Sequence, residues 1–212
     1  MKARLELPVV GALALGMIPG WGQNALLPVQ PQTKPLTESG QVVVAGRLTP
    51  FLIRHLPVSS FPELPESVVV VLNRRGCVIP QTYEAHHPEN AVHASLEHAG
   101  SSDWAVLCAV EGKVSLLVFF DGGAAGEAEG QPMELASAME VDRLQAQPGS
   151  PVLGFNWGID AASPQQVHEV QTGLENRPGR VDHDALADSV VERSTVYHFY
   201  ARSAWTVLEM PE

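Results

Sequence analysis

The stretch Asp103-Trp-Ala-Val-Leu-Cys-Ala-Val110 is apolar at both its odd and its even positions. Successive side chains of a strand point to opposite faces, so such a segment must be covered on both sides. Glu111-Gly112-Lys113 then supplies a short turn with glycine where positive φ is needed, and Val114 to Phe120 returns as a second apolar strand. A hairpin of this kind belongs in the centre of a sheet. Whatever else the chain contains must provide two layers to enclose it.

The rest of the sequence offers candidates for those layers. Ala91 to Leu96 reads as a strand, Val42 to Leu48 as a first strand, and the following run with Pro50, Pro57, Pro62 and Pro65 as extended chain laid over the domain. Glu63 to Arg75 reads as a helix, with Pro65 suited to the first turn, Glu66 to the positive end, Arg74 and Arg75 to the negative end, and Gly76 to the left-handed stop. A strand competes for this segment, because Val68 to Val71 are four β-branched residues in succession. Glu134 to Gln145 has helical spacing through Leu135, Met139 and Leu144, and Val152 to Ile159 is a short strand. Ser163-Pro164 is an N-cap followed by proline at the first helical position, opening a helix toward Leu174. Ser194 to Tyr200 and Ala204 to Met210 form a closing hairpin. Without regular βαβ alternation, the expected fold is α+β: a single domain built on an antiparallel β-sheet with two or three helices. The 18 glycines and 17 prolines in 212 residues fit long connecting loops.

The first 22 residues carry a basic start at Lys2 and Arg4, an apolar run from Val9 to Ile18 and small residues Gly20 and Gly22, the order of a secretory signal peptide; Glu6, Pro8 and Pro19 depart from it, and the alternative is a disordered or membrane-apposed N-terminal tail. Cleavage before Gln23 would leave a Pro-rich tether over residues 23–40, disordered by composition, and a single domain over 41–212. Protein with this organisation is periplasmic or secreted, with no membrane insertion once the signal is removed. The formal net charge is −11, and residues 121–212 hold 15 acidic against five basic side chains. Only Arg74 and Arg75 sit side by side among the cations, so the clustered charge that nucleic acid or an anionic membrane requires is missing. The acidic half reads as a solvated surface.

Gly76-Cys-Val-Ile-Pro-Gln81, Pro88-Glu-Asn-Ala-Val-His93, Asp103-Trp-Ala-Val-Leu-Cys108 and Asp182-His-Asp-Ala-Leu186 occur in that order. Together they resemble a family of uncharacterised exported bacterial proteins, across roughly Leu64 to Leu208. The resemblance implies export and brings no activity with it. The middle of the pattern is also distantly similar to one blade of the FG-GAP or VCBS propellers. The stretch Glu97-His-Ala-Gly-Ser-Ser-Asp103 keeps only two carboxylates where such a blade places its calcium loop, so calcium binding is not implied.

Cys77 and Cys108 are the only cysteines. In an oxidising compartment they form one disulfide; the alternatives are two buried thiols or a nucleophile. His86, His87, His93 and His98 fall within thirteen residues, either as loop and surface histidines or as metal ligands. Asp182-His183-Asp184 places two carboxylates beside an imidazole. It either caps a turn or supplies an acid, base or metal ligand if Glu192 or His198 converges on it. Trp104, Trp157, Trp205 and Phe155 fill a core or expose an aromatic face. No nucleophile-elbow, Walker, Rossmann or H-E-x-x-H pattern is present, so no catalytic, metal or cofactor-binding residue is assigned and no cofactor is expected. Two functions remain: a non-catalytic module binding a protein or cell-envelope component, and an exported hydrolase using the Asp182-His183-Asp184 turn. The signal reading makes a direct prediction. The intact mass of the exported protein should correspond to a chain starting at Gln23, and a retained N-terminus would refute it.

Overall fold

In the computed structural model, residues 36–123, 131–174, 179–190 and 194–209 are described. The expected signal peptide and residues 23–35 of the expected tether lie outside them.

The predicted central hairpin is present. Strands β5 (Asp103–Val110) and β6 (Lys113–Phe119) pair antiparallel around Glu111 and Gly112, whose φ values are 51° and 79°. Both turn residues are left-handed, the geometry whose twist matches that of the flanking strands. Ala105, Leu107 and Ala109 join one buried cluster, while Trp104, Val106 and Cys108 join another on the opposite face. Helix α1 (Glu66–Arg75) covers the second face through Val68 and Leu72, one turn apart and both wholly buried. Burying that single stripe outweighs the β-branched run that favoured a strand. Gly76 ends α1 in the left-handed region, φ 75°, its N–H bonded to the Asn73 and Leu72 carbonyls. The turn delivers Cys77 to β5, where it forms a disulfide with Cys108, Cα to Cα 5.1 Å. Closing a loop of 31 residues of separation stabilises the fold by about 3 to 4 kcal/mol in the chain-entropy account.

Around the hairpin, β1 (Leu36–Val44), β2 (Arg47–Pro57), β3 (Val78–Gln81), β4 (Ala91–Ala94), β7 (Met133–Met139), β8 (Leu144–Ala146) and β9 (Leu153–Phe155) complete a nine-stranded sheet. Its order is β7-β6-β5-β3-β2-β9-β8, with β1 added to β2 and β4 to β5. All described pairings are antiparallel except β2 with β9. A second sheet runs β10 (Gly158–Ala162), β11 (Ala185–Val190), β12 (Ser194–Ala201) and β13 (Ala204–Glu209), wholly antiparallel. Ile159 and Leu186 pack into the first sheet's free face. Ala185, Ala187 and Phe199 pack on Val167 of helix α2 (Pro164–Gln171). The layers are therefore α1, first sheet, second sheet, α2. One sheet-rich domain with two α-helices among the described residues is the coarse content of the α+β expectation.

Several local expectations are met and several are corrected. Ser163 caps α2 in a reciprocal capping box with Gln166, and the helix ends at Gln171 rather than Leu174. Glu134 to Gln145 is not a helix: it forms β7, a 3₁₀ turn at Glu140–Arg143, and β8. The open edge of β6 takes this segment as its partner, and that tertiary demand overrides helical spacing. Val42 to Leu48 is not one strand but the tip of the β1–β2 hairpin, turning at Ala45 and Gly46 with φ values of 49° and 77°. Leu36–Gly40, assigned to the tether, begins β1. The Pro-rich stretch is not draped over the domain at Pro50 and Pro57, because both lie in β2. Pro50 sits where β2 has a described neighbour on one side only and Pro57 is its last residue, positions that tolerate a missing N–H. Val152 to Ile159 divides between β9 and β10 at Asn156-Trp157.

Val106 is completely buried between α1 and β6. Val106→Asp should therefore abolish the cooperative thermal transition, since an unpaired buried carboxylate costs several kcal/mol against a total of about 5 to 15. Unchanged melting of the variant would show that β5 is not central.

Candidate functional site

A cleft of about 730 Å³ opens between the loop after β4, the turn before β11 and the β12–β13 turn. Each wall has a clear physical origin. The loop after β4 is held by Asp103, a fully buried carboxylate at the first position of β5. Asp103 Oδ2 accepts the N–H groups of Leu96 and Glu97, each at 2.8 Å, and the Ser101 hydroxyl; Oδ1 accepts the Asp121 N–H at 2.8 Å. A carboxylate without a cation is tolerable there because four donors replace its water. The same contacts place Glu97 and His98 on the cleft wall and Asp121 beside them. Glu97, His98 and Asp121 each offer a potential ligand atom within 4.8 Å of the others, His98 and Asp121 being exposed.

The turn before β11 contains the Asp182-His183-Asp184 triplet, and the three residues do different things. Asp184 is pinned away from the cleft: its N–H donates to the Ser95 carbonyl at 2.9 Å and its Oδ2 accepts the Ser95 N–H at 3.0 Å. This reciprocal clamp ties β11 to the end of β4. His183 is buried and lines the cleft floor, its Nε2–H donating to the Tyr200 carbonyl at 2.7 Å. Its Nδ1 lies 3.1 Å from Asp182 Oδ1 and donates to it when the ring is doubly protonated. Asp182 is exposed, and the His183 contact, followed by a hydrogen bond to its own backbone N–H, holds its carboxyl below the usual carboxylate range. A lowered carboxyl supports folding above its unfolded pKa, and that contribution is lost as pH falls through the lower, folded value.

The third wall is the β12–β13 turn, where Arg202 and Ser203 adopt φ values of 53° and 61°. Arg202 and Arg180 both line the cleft, and no described carboxylate lies within ion-pair distance of either. Beside this wall, Phe120 and Trp205 stack with centroids 6.1 Å apart, and Tyr200 contacts both rings.

Other candidates go elsewhere. His198 does not converge on the triplet; its Nε2 lies 3.1 Å from Asp188 Oδ2, while Asp188 Oδ1 accepts the Trp157 indole N–H at 2.6 Å. Glu192 lies outside the described residues. The four clustered histidines separate: His93 stacks on Trp104 and bonds Ser102, His86 and His87 are exposed, and only His98 reaches the cleft. Of the aromatic residues, Trp104, Phe155 and Trp157 are core, and Trp205 is half-buried. Reading the sequence alone missed Arg180, Arg202, Glu97 and Asp121. The one local signal was the short gap, Ala201 to Ser203, between the last two expected strands, which places Arg202 near the tip of a hairpin.

The chain matches no protein-family model, no curated protein and no solved structure. The site's chemistry thus rests on its own geometry.

Replacing His183 with Phe leaves the Tyr200 carbonyl without its donor. His183→Phe should lower stability by about 1 to 3 kcal/mol and the melting point by several degrees. Asp182→Asn, at an exposed position, removes only the small contribution of the lowered carboxyl and should lower the melting point at neutral pH less than His183→Phe does. Equal effects from both would show that the pair acts as a unit rather than His183 acting through Tyr200.

Proposed function

We propose that this protein is an exported, non-catalytic binding module whose cleft receives an anionic group of a partner protein or cell-envelope component. The observation that carries the reading is the presence of Arg180 and Arg202 in one cleft, without described ion-pair partners, on a chain of net charge −11. Glu97 and Asp182 share the lining, and the two guanidinium groups supply the points at which a carboxylate or phosphate can be held on an otherwise acidic surface. Tyr200, Ser203 and Thr206 add hydrogen-bonding groups to the lining. The Cys77–Cys108 disulfide supports an oxidising compartment, in keeping with the signal-like N-terminus.

The hydrolase alternative has less support. A general base at the triplet must present a ring nitrogen to water or to a nucleophile. His183 Nε2 instead donates to a carbonyl, and Asp184 is committed to Ser95.

The test is affinity capture from the periplasmic fraction of the native host, using wild-type protein and the Arg180→Glu/Arg202→Glu double variant. The expected result is a discrete partner retained by the wild type, released by raised salt and lost from the double variant. Equal capture by both proteins, or turnover of hydrolase substrates that disappears in His183→Phe, would overturn the reading.

A further inference from the structure

A second pocket, of about 300 Å³, shares no lining residue with the cleft. It is bounded by Glu38 of β1, His55 of β2, Glu140 of the 3₁₀ turn after β7, and Glu111-Gly112 of the β5–β6 turn. We propose that it is a binding site for a zinc-like divalent cation, held by His55, Glu140 and Glu38.

The argument begins with position. Phe51, Ile53 and His55 alternate on the inward face of β2, so an imidazole stands where the strand otherwise buries apolar residues. Its Nε2 lies 2.5 Å from Glu140 Oε1, and the two side chains are 5% and 3% exposed. Glu140 is fixed from behind, because its backbone N–H donates to the Gly112 carbonyl at 2.8 Å. Glu38 pairs with Ile53, and its neighbour two residues earlier, Leu36, pairs with His55. Glu38 therefore stands on the same face as His55, diagonally across the ladder. One ligand atom from each of the three lies within 4.8 Å of the others. Bound zinc, with bonds of about 2.0 to 2.2 Å to nitrogen and oxygen, requires only modest side-chain rotation from that arrangement.

Charge supplies a separate reason. Glu38, Glu111 and Glu140 all line the pocket, and no Lys or Arg does. Even a protonated His55 leaves an excess of negative charge around a site in which two of the groups are removed from water. A divalent cation neutralises that excess where a single proton cannot. One imidazole with carboxylates selects a zinc-like ion over calcium or magnesium, which prefer all-oxygen shells. Three protein ligands leave a position facing the pocket for water or for Glu111. The ion would join the β1–β2 hairpin to the segment after β7.

The test uses the full chain without a polyhistidine tag, stripped with chelator and titrated with zinc chloride by calorimetry. One ion per chain and a rise in melting temperature reversed by chelator are expected. Glu38→Gln is the primary variant, because its exposed side chain can change without disturbing the core; it should weaken binding about tenfold or more. His55→Asn should do the same, with near-UV circular dichroism confirming that it is folded. Asp121→Asn, in the Glu97–His98–Asp121 group of the cleft wall, should leave affinity unchanged. No zinc binding by the wild type, binding unaffected by Glu38→Gln, or loss of binding in Asp121→Asn alone would overturn the proposal.

Discussion

The Asp103 carboxylate is the interaction on which fold and cleft both depend. It stands at the head of the central strand, receives four hydrogen bonds and is completely buried. Three of those bonds shape the loop that enters β5, and the fourth fixes the chain as it leaves β6. The two ends of the hairpin are thus closed onto one side chain. Glu97 and Asp121, which flank the cleft, owe their placement to the same group. Buried polar groups are costly unless satisfied, and once satisfied they demand one geometry. Here that geometry is a cleft wall.

A second peg joins the sheets. Asn90 adopts φ 71°; its Nδ2 donates to the carbonyls of Pro80, at 2.7 Å, and Trp157, at 3.2 Å, while its Oδ1 accepts the Ile159 N–H at 3.1 Å. Beside it, Gln81 Oε1 accepts the Glu89 N–H at 3.0 Å, and Glu89 Oε1 accepts the Thr82 N–H at 2.7 Å. Gln81, Glu89, Asn90, Asp103 and Asp184 thus all bond backbone groups of neighbouring segments, Asp103 taking the Ser101 hydroxyl as well. The contacts of these five side chains are structural.

Where pattern and physics were local, the sequence was legible. A strand apolar on both faces, a Gly-containing hairpin turn, the Ser163-Pro164 cap and the Gly76 stop each follow from a few neighbouring residues. The Cys77–Cys108 bridge followed from compartment and from the face that Cys108 shares with Val106. Errors arose where distant partners decide. Leu135 and Met139 have helical spacing, yet β6 needs a neighbour and takes them as a strand. Pro50 and Pro57 argue against a central strand until β1, β3 and β9 are in place around them. The cleft was half legible: Asp182 and His183 are neighbours in sequence, whereas Arg180, Arg202, Glu97 and Asp121 meet only because two hairpins and a loop converge.

Two patterns of contact stand out among the buried and half-buried polar groups. Asp103, Asp184 and Asn90 bind backbone donors and acceptors, and each ties a loop to a strand. His55 and Glu140 bind each other. Such a buried ionisable pair adds little stability over apolar side chains of the same volume, because desolvation offsets most of its attraction. Packing alone would therefore be served as well by a leucine beside Ile53. With Glu38 and Glu111 on the same pocket and no cation opposite, the pair is better understood as two thirds of a ligand set than as a fastening of the fold. In the cleft, Arg180 and Arg202 make no described side-chain hydrogen bond or ion pair. Glu38 and Glu111 in the pocket, like Arg180 and Arg202 in the cleft, carry charge that no described side-chain hydrogen bond or ion pair uses.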